Sequence, residues 1–179
     1  MGRGCMEESS EEGDEIVILE DAVKTYENLI DSASGIRGVN LVLRKGRFLA
    51  VMGPEESGKA TLLRCLAGQV RLTAGTLWRD PEAADAVLCR GALDERALAG
   101  PPRLFLVDGA EPAHCALLRD AVDDGRAVAA VVTTEDVTAA AAADAVLFLH
   151  QGRVVDMVAG ANPERIRECL SWLGGEQES

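Results

Sequence analysis

The residues with the clearest chemical meaning form a glycine-bearing loop, GPEESGKAT, at positions 53–61. An apolar run, FLAVM at 48–52, precedes this loop, and leucines at helical spacing follow it. Backbone N–H groups of such a loop curl around phosphate oxygens, and its lysine, here Lys59, reaches the β and γ phosphates. The spacing and its context therefore predict a Walker A loop that binds a nucleoside polyphosphate. Its predicted binding residues are Gly53, Ser57, Gly58, Lys59, Ala60 and Thr61.

The same loop carries residues that work against tight binding. A Walker A loop places a Ser or Thr after the lysine to hold Mg²⁺, but here that position is Ala60. Thr61 lies one place too late for the metal, although its hydroxyl is placed to meet the α-phosphate. Glu55 and Glu56 add two negative charges, and like charges at about 4 Å cost about 1 to 4 kcal/mol near a protein surface. We therefore expect nucleotide binding to be weakened.

Apolar runs and helical patterns supply the elements that position this loop. Strands are predicted at 16–20, 48–52, 103–108, 127–133, 145–149 and 153–158. Helices are predicted from Gly58 to Gly68, near 136–143 and over 163–173. Alternating strands and helices are typical of an α/β fold with a parallel core sheet. The last helix, with Ile166, Leu170 and Leu173 on one face, is expected to dock on this sheet.

The composition excludes several classes of protein. A chain of 179 residues with 47% apolar residues fits one compact domain with its own core. Its 18 Lys and Arg against 30 Asp and Glu leave a net charge of −12 and a pI near 4.6, so nucleic acid is not an expected partner. No segment approaches the roughly 18 consecutive apolar residues of a membrane-spanning helix, so direct membrane insertion is not expected.

The cysteines do not form a recognisable site. They lie far apart in the sequence without C-x-x-C spacing, which favours reduced thiols in a cytoplasmic chain. They are Cys5, Cys65, Cys89, Cys115 and Cys169. We expect the two histidines, His114 and His150, at the surface and the two tryptophans, Trp78 and Trp172, at the edges of the core.

The acidic stretch EESSEEGDE at 7–15 contains no apolar side chain that could offset the entropy lost on ordering. We therefore divide the chain into an acidic disordered tail over 1–15, a folded domain over 16–175 and a short C-terminal tail over 176–179.

Several segments resemble the ATPase of ATP-binding cassette (ABC) transporters, in particular its lipoprotein-release and macrolide-export branch. ILEDAVKTY is similar to the opening strand and aromatic loop of that family, and GIRGVNLVLRKGRFLAVMGPEESGKATLLRCLAG is similar to its strand pair, Walker A loop and first helix. RLFLVDGAEP resembles the Walker B strand. AVVTTEDVTAAAAADAVLFLHQGRVV resembles the switch strand and the C-terminal hairpin. Together these segments cover most of residues 16–158.

The resemblance implies a fold, ligands and partners. The fold would be a P-loop NTPase-like, mainly parallel sheet flanked by helices, with N-terminal antiparallel strands. Tyr26 would stack on the adenine of ATP, and Asp108 would bind Mg²⁺ through water. A permease or an intact ATPase subunit would be the partner, which would place a cytoplasmic protein at the periphery of the membrane.

The chain also departs from that family at the positions that perform hydrolysis. The stretch between Lys59 and Asp108 is too short for the glutamine loop, the helical subdomain and the signature motif, and LDERALAG at 93–100 resembles a remnant of the helix after the signature. The catalytic glutamate is replaced by Gly109, and Glu111, only two residues further on, is expected to point elsewhere because it follows the exit from a strand into a loop. The switch histidine is replaced by Thr134. No residue is therefore predicted to be catalytic.

Three hypotheses follow from these patterns. The first is a degenerate ABC-type protein that binds ATP weakly, with an uncertain requirement for Mg²⁺, and does not hydrolyse ATP efficiently. The second is a non-catalytic regulatory or interaction module that keeps a P-loop scaffold without binding nucleotide, because fold does not determine function. The third, least favoured by the residues, is a working ATPase that uses unusual side chains.

Overall fold

The structure is a computed structural model that describes residues 14–26, 35–91, 93–160 and 162–175. The tails predicted over 1–15 and 176–179 lie outside these residues, apart from Asp14 and Glu15. Glu15 was placed in the disordered tail, and that assignment is wrong for this residue. It begins the first strand, where it pairs with Arg44 in register and the Arg44 Nη2 lies 3.6 Å from its Oε1.

A small antiparallel sheet forms the N-terminal part of the fold. Its strands are β1 (Glu15–Lys24), β2 (Ile36–Arg44) and β4 (Ala74–Arg79), in the order β2-β1-β4. β1 is longer than the 16–20 run predicted. In β2, buried and exposed residues alternate, as expected for strands with one face on a core. The N-terminal antiparallel strands implied by the family resemblance are therefore present.

A six-stranded sheet carries the centre of the molecule. Its strands are β3 (Phe48–Met52), β5 (Ala86–Arg90), β6 (Arg103–Asp108), β7 (Ala127–Thr133), β8 (Ala145–His150) and β9 (Arg153–Ala159). The order is β5-β6-β7-β3-β8-β9, with every neighbouring pair parallel except β8 and β9. All residues of β3 and β7 are buried, because both faces of the sheet are covered.

Helices flank both faces of this sheet. They are α1 (Lys59–Leu66), α2 (Pro112–Asp123), α3 (Val137–Ala140) and α4 (Pro163–Gly175). Leu62, Leu63 and Leu66 of α1 join the small sheet in one apolar cluster, and the other three helices contribute to a second cluster on the opposite face. This is the mostly parallel α/β architecture that the sequence predicts.

Two helices differ from their predictions. α3 is shorter than the predicted helix near 136–143 because its backbone tightens after Ala140: the N–H of Ala142 bonds to Ala139 and that of Ala143 to Ala140. α4 ends at Gly175, two residues beyond the predicted end. Its docking on the sheet is confirmed, since Ile166 is fully buried and the helix packs on β8 and β9.

The connection from α1 to β6 is short. Its described residues contain β4, β5 and a three-residue 3₁₀ helix at Pro81–Ala83, but no α-helix. Residues 93–100, which resemble a helix remnant, form successive turns closed by bonds such as Ala97 N–H to Asp94 O, 3.1 Å. This arrangement agrees with the expected loss of the helical subdomain.

Both tryptophans differ from their expected packing. Trp78 is 48% exposed on β4, and Trp172 is 76% exposed on α4. Trp78 lies on the open face of a three-stranded sheet, and Trp172 lies at the rim of an open pocket between α4 and the strands β8 and β9. The expectation that they pack at core edges is therefore wrong. None of the described helices is long and apolar enough to cross a membrane.

Candidate functional site

The loop at residues 53–58 joins the carboxyl end of β3 to the amino end of α1. Because β3, β6 and β7 are parallel, they end at one edge of the sheet. The residues at these ends, Met52, Asp108 and Thr133, bring three predicted parts of a nucleotide site to the same place. The fold therefore brings the loop at 53–58, Asp108 and the end of the strand before Thr134 to one edge of the sheet, and their roles in nucleotide binding stay predictions.

Two glycines of the loop are required by close backbone contacts. A Cβ at Gly53 would lie 2.2 Å from the Leu149 carbonyl oxygen, and one at Gly58 would lie 2.6 Å from that of Gly35. Gly58 also has a φ of +99° as it caps α1, a conformation that glycine adopts without strain. Glu56 adopts φ +60° in the same turn, which is uncommon for a residue with a side chain.

The loop holds a polar group that lacks a protein partner. The Ser57 side chain is 2% exposed, and its Oγ makes no hydrogen bond within the described residues. Leaving a buried hydroxyl unsatisfied costs about 1 to 3 kcal/mol. Close by, Lys59 Nζ donates to the Gly53 carbonyl oxygen at 2.5 Å. An orphaned hydroxyl and an ammonium group at a helix amino end suit a phosphate group, so these residues fit a polyphosphate ligand.

Burial and nearby carboxylates have opposite effects on the pKa of the Lys59 ammonium group. Burial is the largest influence and lowers the pKa of its ammonium group, because the charged form loses hydration. The carboxylates of Glu135, Asp108 and Glu55 act in the opposite direction and raise that pKa. Lys59 is thus a partly desolvated cation, which strengthens its interaction with an anionic ligand.

The turn between β8 and β9 is hydrogen-bonded to the loop at residues 53–58, which we call the phosphate loop. The N–H of Gly152 donates to the Ser57 carbonyl oxygen at 2.9 Å, and the Gly152 carbonyl accepts from the Arg37 N–H at 2.8 Å. One glycine therefore ties the loop to the start of β2. The sequence analysis did not identify Gly152, whose role depends on contacts between distant segments.

A pocket of about 350 Å³ opens beside Lys59 at the ends of β6 and β7. Its lining is rich in carboxylates, and Lys59 is the only cation among the residues that line it. The lining residues are Lys59, Asp108, Gly109, Ala110, Glu111, Pro112, Thr133, Thr134, Glu135 and Asp136. An excess of acids weakens the attraction of the pocket for a polyanion, in agreement with the expected effect of Glu55 and Glu56.

Both carboxylate oxygens of Asp108 have protein partners. Thr133 Oγ1 donates to Oδ1 at 2.6 Å and itself accepts from the Gly109 N–H at 2.9 Å. Arg90 Nε lies 3.7 Å from Oδ2. Ala60 offers no oxygen, and within the described residues no group of three His, Cys, Asp or Glu is arranged to hold a metal ion. These residues fit Mg²⁺ poorly, and the predicted metal role of Asp108 stays a prediction.

Tyr26 reaches the loop from the end of β1. Its hydroxyl lies 3.4 Å from Thr61 Oγ1, and Lys24 Nζ lies 5.3 Å from the centre of its ring. The structure thus brings Tyr26 and Thr61 together, next to the phosphate loop. Stacking of this ring on adenine stays a prediction.

The positions expected to lack hydrolytic groups have other structural roles. Gly109 adopts φ +77° immediately after β6. Thr134 is buried, and its hydroxyl donates to the Ala110 carbonyl oxygen at 2.8 Å. His114 Nδ1 accepts from the Glu111 N–H at 3.1 Å and so caps α2. The Thr134 contact holds the segment after β6 to the segment after β7.

Sequence reasoning missed two residues of this site, Arg90 and Thr133. Both depend on register between parallel strands: Arg90 pairs with Asp108, and Thr133 ends the strand next to β6. A charged residue that closes an apolar run, as in AVLCR, was the available signal for Arg90. The hydroxyl next to Thr134 was the signal for Thr133.

Sequence comparison relates part of the chain to transporter ATPases. The sequence model of the ABC transporter family matches residues 36–109. An aliphatic sulfonates import ATP-binding protein of Agrobacterium fabrum is 52% identical over 46 residues, which are 26% of this chain. An sn-glycerol-3-phosphate import ATP-binding protein of Rhizobium meliloti is 41% identical over 61 residues, or 34% of this chain. The chain spans 17% of the length of each relative.

Solved structures that resemble this fold include ATP-binding cassettes. A dimeric cassette in a post-hydrolysis state, bound to ADP and Pi, gives a TM-score of 0.62 at 16% identity and covers 80% of this chain and 98% of that chain. A nucleotide-free cassette from an ABC transporter gives a TM-score of 0.63 at 12% identity and covers 88% and 95%. The chain therefore has the fold of ATP-binding cassettes, and the similarity to the ABC transporter family in sequence lies within residues 36–109.

Proposed function

We propose that the chain is an ABC-type protein that binds ATP weakly at residues 53–61 and does not hydrolyse it efficiently. The observation that carries this proposal is the buried hydroxyl of Ser57, which has no hydrogen-bond partner among the described residues, close to the Lys59 ammonium group. A phosphate oxygen accepts from both groups and also meets the N–H groups of the first turn of α1, which point toward the amino end of the helix. Gly53 and Gly58 allow the loop to pack closely against the backbone of Leu149 and Gly35, which fixes its conformation.

Charge explains why the affinity would be low. Glu55 and Glu56 are exposed on the loop itself, and four carboxylates line the adjoining pocket. Each is a like charge for a polyphosphate. Tyr26, if it stacks on adenine, adds affinity that does not depend on charge.

Inefficient hydrolysis follows from the missing groups. A general base accelerates a reaction by about 10²- to 10⁴-fold, and the residue after Asp108 is a glycine. Ala60 cannot hold a metal ion, and the Thr134 hydroxyl is engaged with a carbonyl group. Phosphoryl transfer depends on such groups to position the reactants and to stabilise charge.

An ATP titration followed by thermal unfolding tests the binding. At about 100 times Kd, ATP should stabilise the fold by about 2.7 kcal/mol. Lys59→Ala should remove most of this shift. Lys45→Ala is the matched control, because Lys45 is exposed and pairs with Glu82 at 2.8 Å. No shift at millimolar ATP would reject binding, and steady turnover that Lys59→Ala abolishes would reject the loss of hydrolysis and favour a working ATPase.

We also propose a permease or an intact ATPase subunit as partner, which would place the chain in the cytoplasm at the periphery of the membrane. The match to import ATP-binding proteins supports a transporter context. The resemblance of residues 16–77 supports the narrower proposal of the lipoprotein-release and macrolide-export branch. Reconstitution with a candidate permease tests both, since association in detergent is the expected result.

A second candidate is an interaction module without nucleotide binding. Exposed apolar side chains on β9 and α4 favour it: Val155 is 50%, Met157 49% and Trp172 76% exposed. This candidate predicts no ATP shift, together with self-association or partner association that Trp172→Ala weakens. Analytical ultracentrifugation of the native chain and of Trp172→Ala measures the change in association.

A further inference from the structure

Arg90, the last residue of β5, lies next to Asp108, which lines the pocket beside Lys59. β5 and β6 are parallel neighbours, and their register pairs Arg90 with Asp108. Arg90 Nε lies 3.7 Å from Asp108 Oδ2, and 70% of the Arg90 side chain is exposed. Its guanidinium group therefore keeps donors that Asp108 does not use, at the edge of the pocket that Lys59 and Asp108 line.

The partners of Asp108 lie next to the oxygens that a divalent cation would need. Mg²⁺ requires near-octahedral oxygen ligands, and a phosphate-bound ion usually takes one or two from the protein. Here Asp108 Oδ1 accepts from Thr133 and Oδ2 faces Arg90. Ala60 supplies no oxygen. A divalent cation bound at Oδ2 would lie close to the Arg90 guanidinium group, whose like charge disfavours it.

The carboxylates of the pocket would repel a polyphosphate unless a positively charged group offsets them. Asp108, Glu111, Glu135 and Asp136 line it against Lys59 alone. A polyphosphate that enters without a metal ion needs another positive charge. The guanidinium group stays charged at all ordinary pH values and binds phosphate oxygens with paired N–H donors.

We propose that Arg90 takes the place of the divalent cation, so that this site binds nucleoside polyphosphates free of Mg²⁺. The inference rests on the proposed function, since it names the form of nucleotide that the same site accepts. Arg90 would neutralise Asp108 and contact the terminal phosphates, whereas Lys59 and the loop hold the phosphates from the other side.

ATP titrations of the full chain by isothermal calorimetry, in excess EDTA and in excess Mg²⁺, test this inference. We expect binding in EDTA to be at least as tight as in Mg²⁺, because Mg²⁺ withdraws free ATP as its complex. Binding that requires Mg²⁺ would overturn the inference and leave the proposed function standing. No binding in either buffer would overturn the proposed function, and with it the inference.

Variants of Arg90 locate the effect. Arg90→Gln should weaken ATP binding in EDTA by about tenfold or more, the range for loss of a charged hydrogen bond. Arg167→Gln is the matched control, an exposed arginine on α4, and should leave Kd unchanged. An unchanged Kd in Arg90→Gln overturns the inference. Circular dichroism of both variants checks folding, which the exposure of both side chains should preserve.

A double variant tests whether ATP binding at this site can be made dependent on Mg²⁺. In Ala60→Ser with Arg90→Gln, the new hydroxyl and the released Asp108 oxygen offer two ligands to Mg²⁺. ATP binding in this variant should become tighter in Mg²⁺ than in EDTA, which reverses the order expected for the native chain. Equal binding in the two buffers would contradict the role assigned to Arg90.

Discussion

At the scale of single residues, backbone conformation limits what a substitution can restore. Gly109 occupies the position at which a catalytic glutamate was expected, but its φ of +77° belongs to the left-handed region. Space is not the obstacle, because a Cβ at Gly109 would meet no atom within 4 Å. The glycine thus differs from a glutamate both in its side chain and in the path of the chain after β6.

We predict that Gly109→Glu does not create an efficient ATPase. A side chain in the left-handed region costs about 1 to 2 kcal/mol, so the free energy of unfolding should fall by that amount. Urea denaturation and a phosphate-release assay measure the two effects. Gly160→Glu is the matched control, since Gly160 has φ +82° and equally open space at the end of β9. Turnover in Gly109→Glu that also requires Lys59 would contradict the prediction.

At the scale of elements, one side chain joins the strand before the phosphate loop to its neighbours. Asp144 Oδ2 accepts from the Phe48 N–H at 2.8 Å, and the Asp144 N–H donates to the Phe48 carbonyl at 2.8 Å. Arg119 of α2 places Nη1 3.1 Å from Asp144 Oδ1, with its guanidinium group 5.8 Å from the Phe48 ring centre. The start of β3 is therefore held by β8 and α2 together.

We predict that Asp144→Ala lowers the free energy of unfolding by about 1 to 3 kcal/mol, because it leaves the buried Phe48 N–H without its acceptor. Urea denaturation measures the change. Asp120→Ala on the exposed side of α2 is the control and should shift stability by less than about 0.5 kcal/mol. Similar losses in both variants would show that the contact with Phe48 contributes little.

At the scale of the whole molecule, one buried thiol lies in the apolar cluster on each face of the large sheet. Cys65 is fully buried in the cluster that contains α1, and Cys115 is fully buried in the cluster that contains α2. Burial is the largest influence on both and raises each pKa from 9.0 to about 11. Both thiols therefore stay protonated in the folded chain. Cys5 lies outside the described residues.

We predict that iodoacetamide labels Cys65 and Cys115 only when the chain unfolds, and at the same urea concentration. Cys169 is partly exposed and should react faster in the folded chain. Mass spectrometry of labelled peptides measures all three. Labelling of Cys65 at a lower urea concentration than Cys115 would show that the two faces unfold separately.

The same thiols predict a stability change with pH. The unfolded thiols ionise near 9.0 and the folded ones near 11, so the unfolded chain binds fewer protons in this window. Stability from Cys65 and Cys115 is complete below pH 9.0 and is lost as pH rises toward 11. Urea denaturation of Cys65→Ala with Cys115→Ala, against the native chain, should show a flatter decline above pH 9.0.

Local patterns predicted the parts of this fold that depend on continuous burial. Strands β3, β6 and β7 begin and end at the predicted residues, since an uninterrupted apolar run needs both faces covered. The loop at 53–58 was found because its glycines have a fixed spacing. Arg90 and Thr133 were missed because strand register, which no local pattern contains, brings them to Asp108. Trp172 was misplaced because helical spacing alone does not tell a buried face from an exposed apolar one.

The hydrogen bond from the Gly152 N–H to the Ser57 carbonyl makes hydrogen exchange at Gly152 sensitive to the conformation of the phosphate loop. The Gly152 amide bonds to the loop through the Ser57 carbonyl and is not among the residues that line the pocket beside Lys59, so a ligand need not touch it to change it. Its proton exchanges with solvent only when the loop and the turn separate. Slower deuterium uptake at Gly152 with ATP than without would therefore give a spectroscopic signal of occupancy, resolved at one backbone amide and independent of any change in global melting.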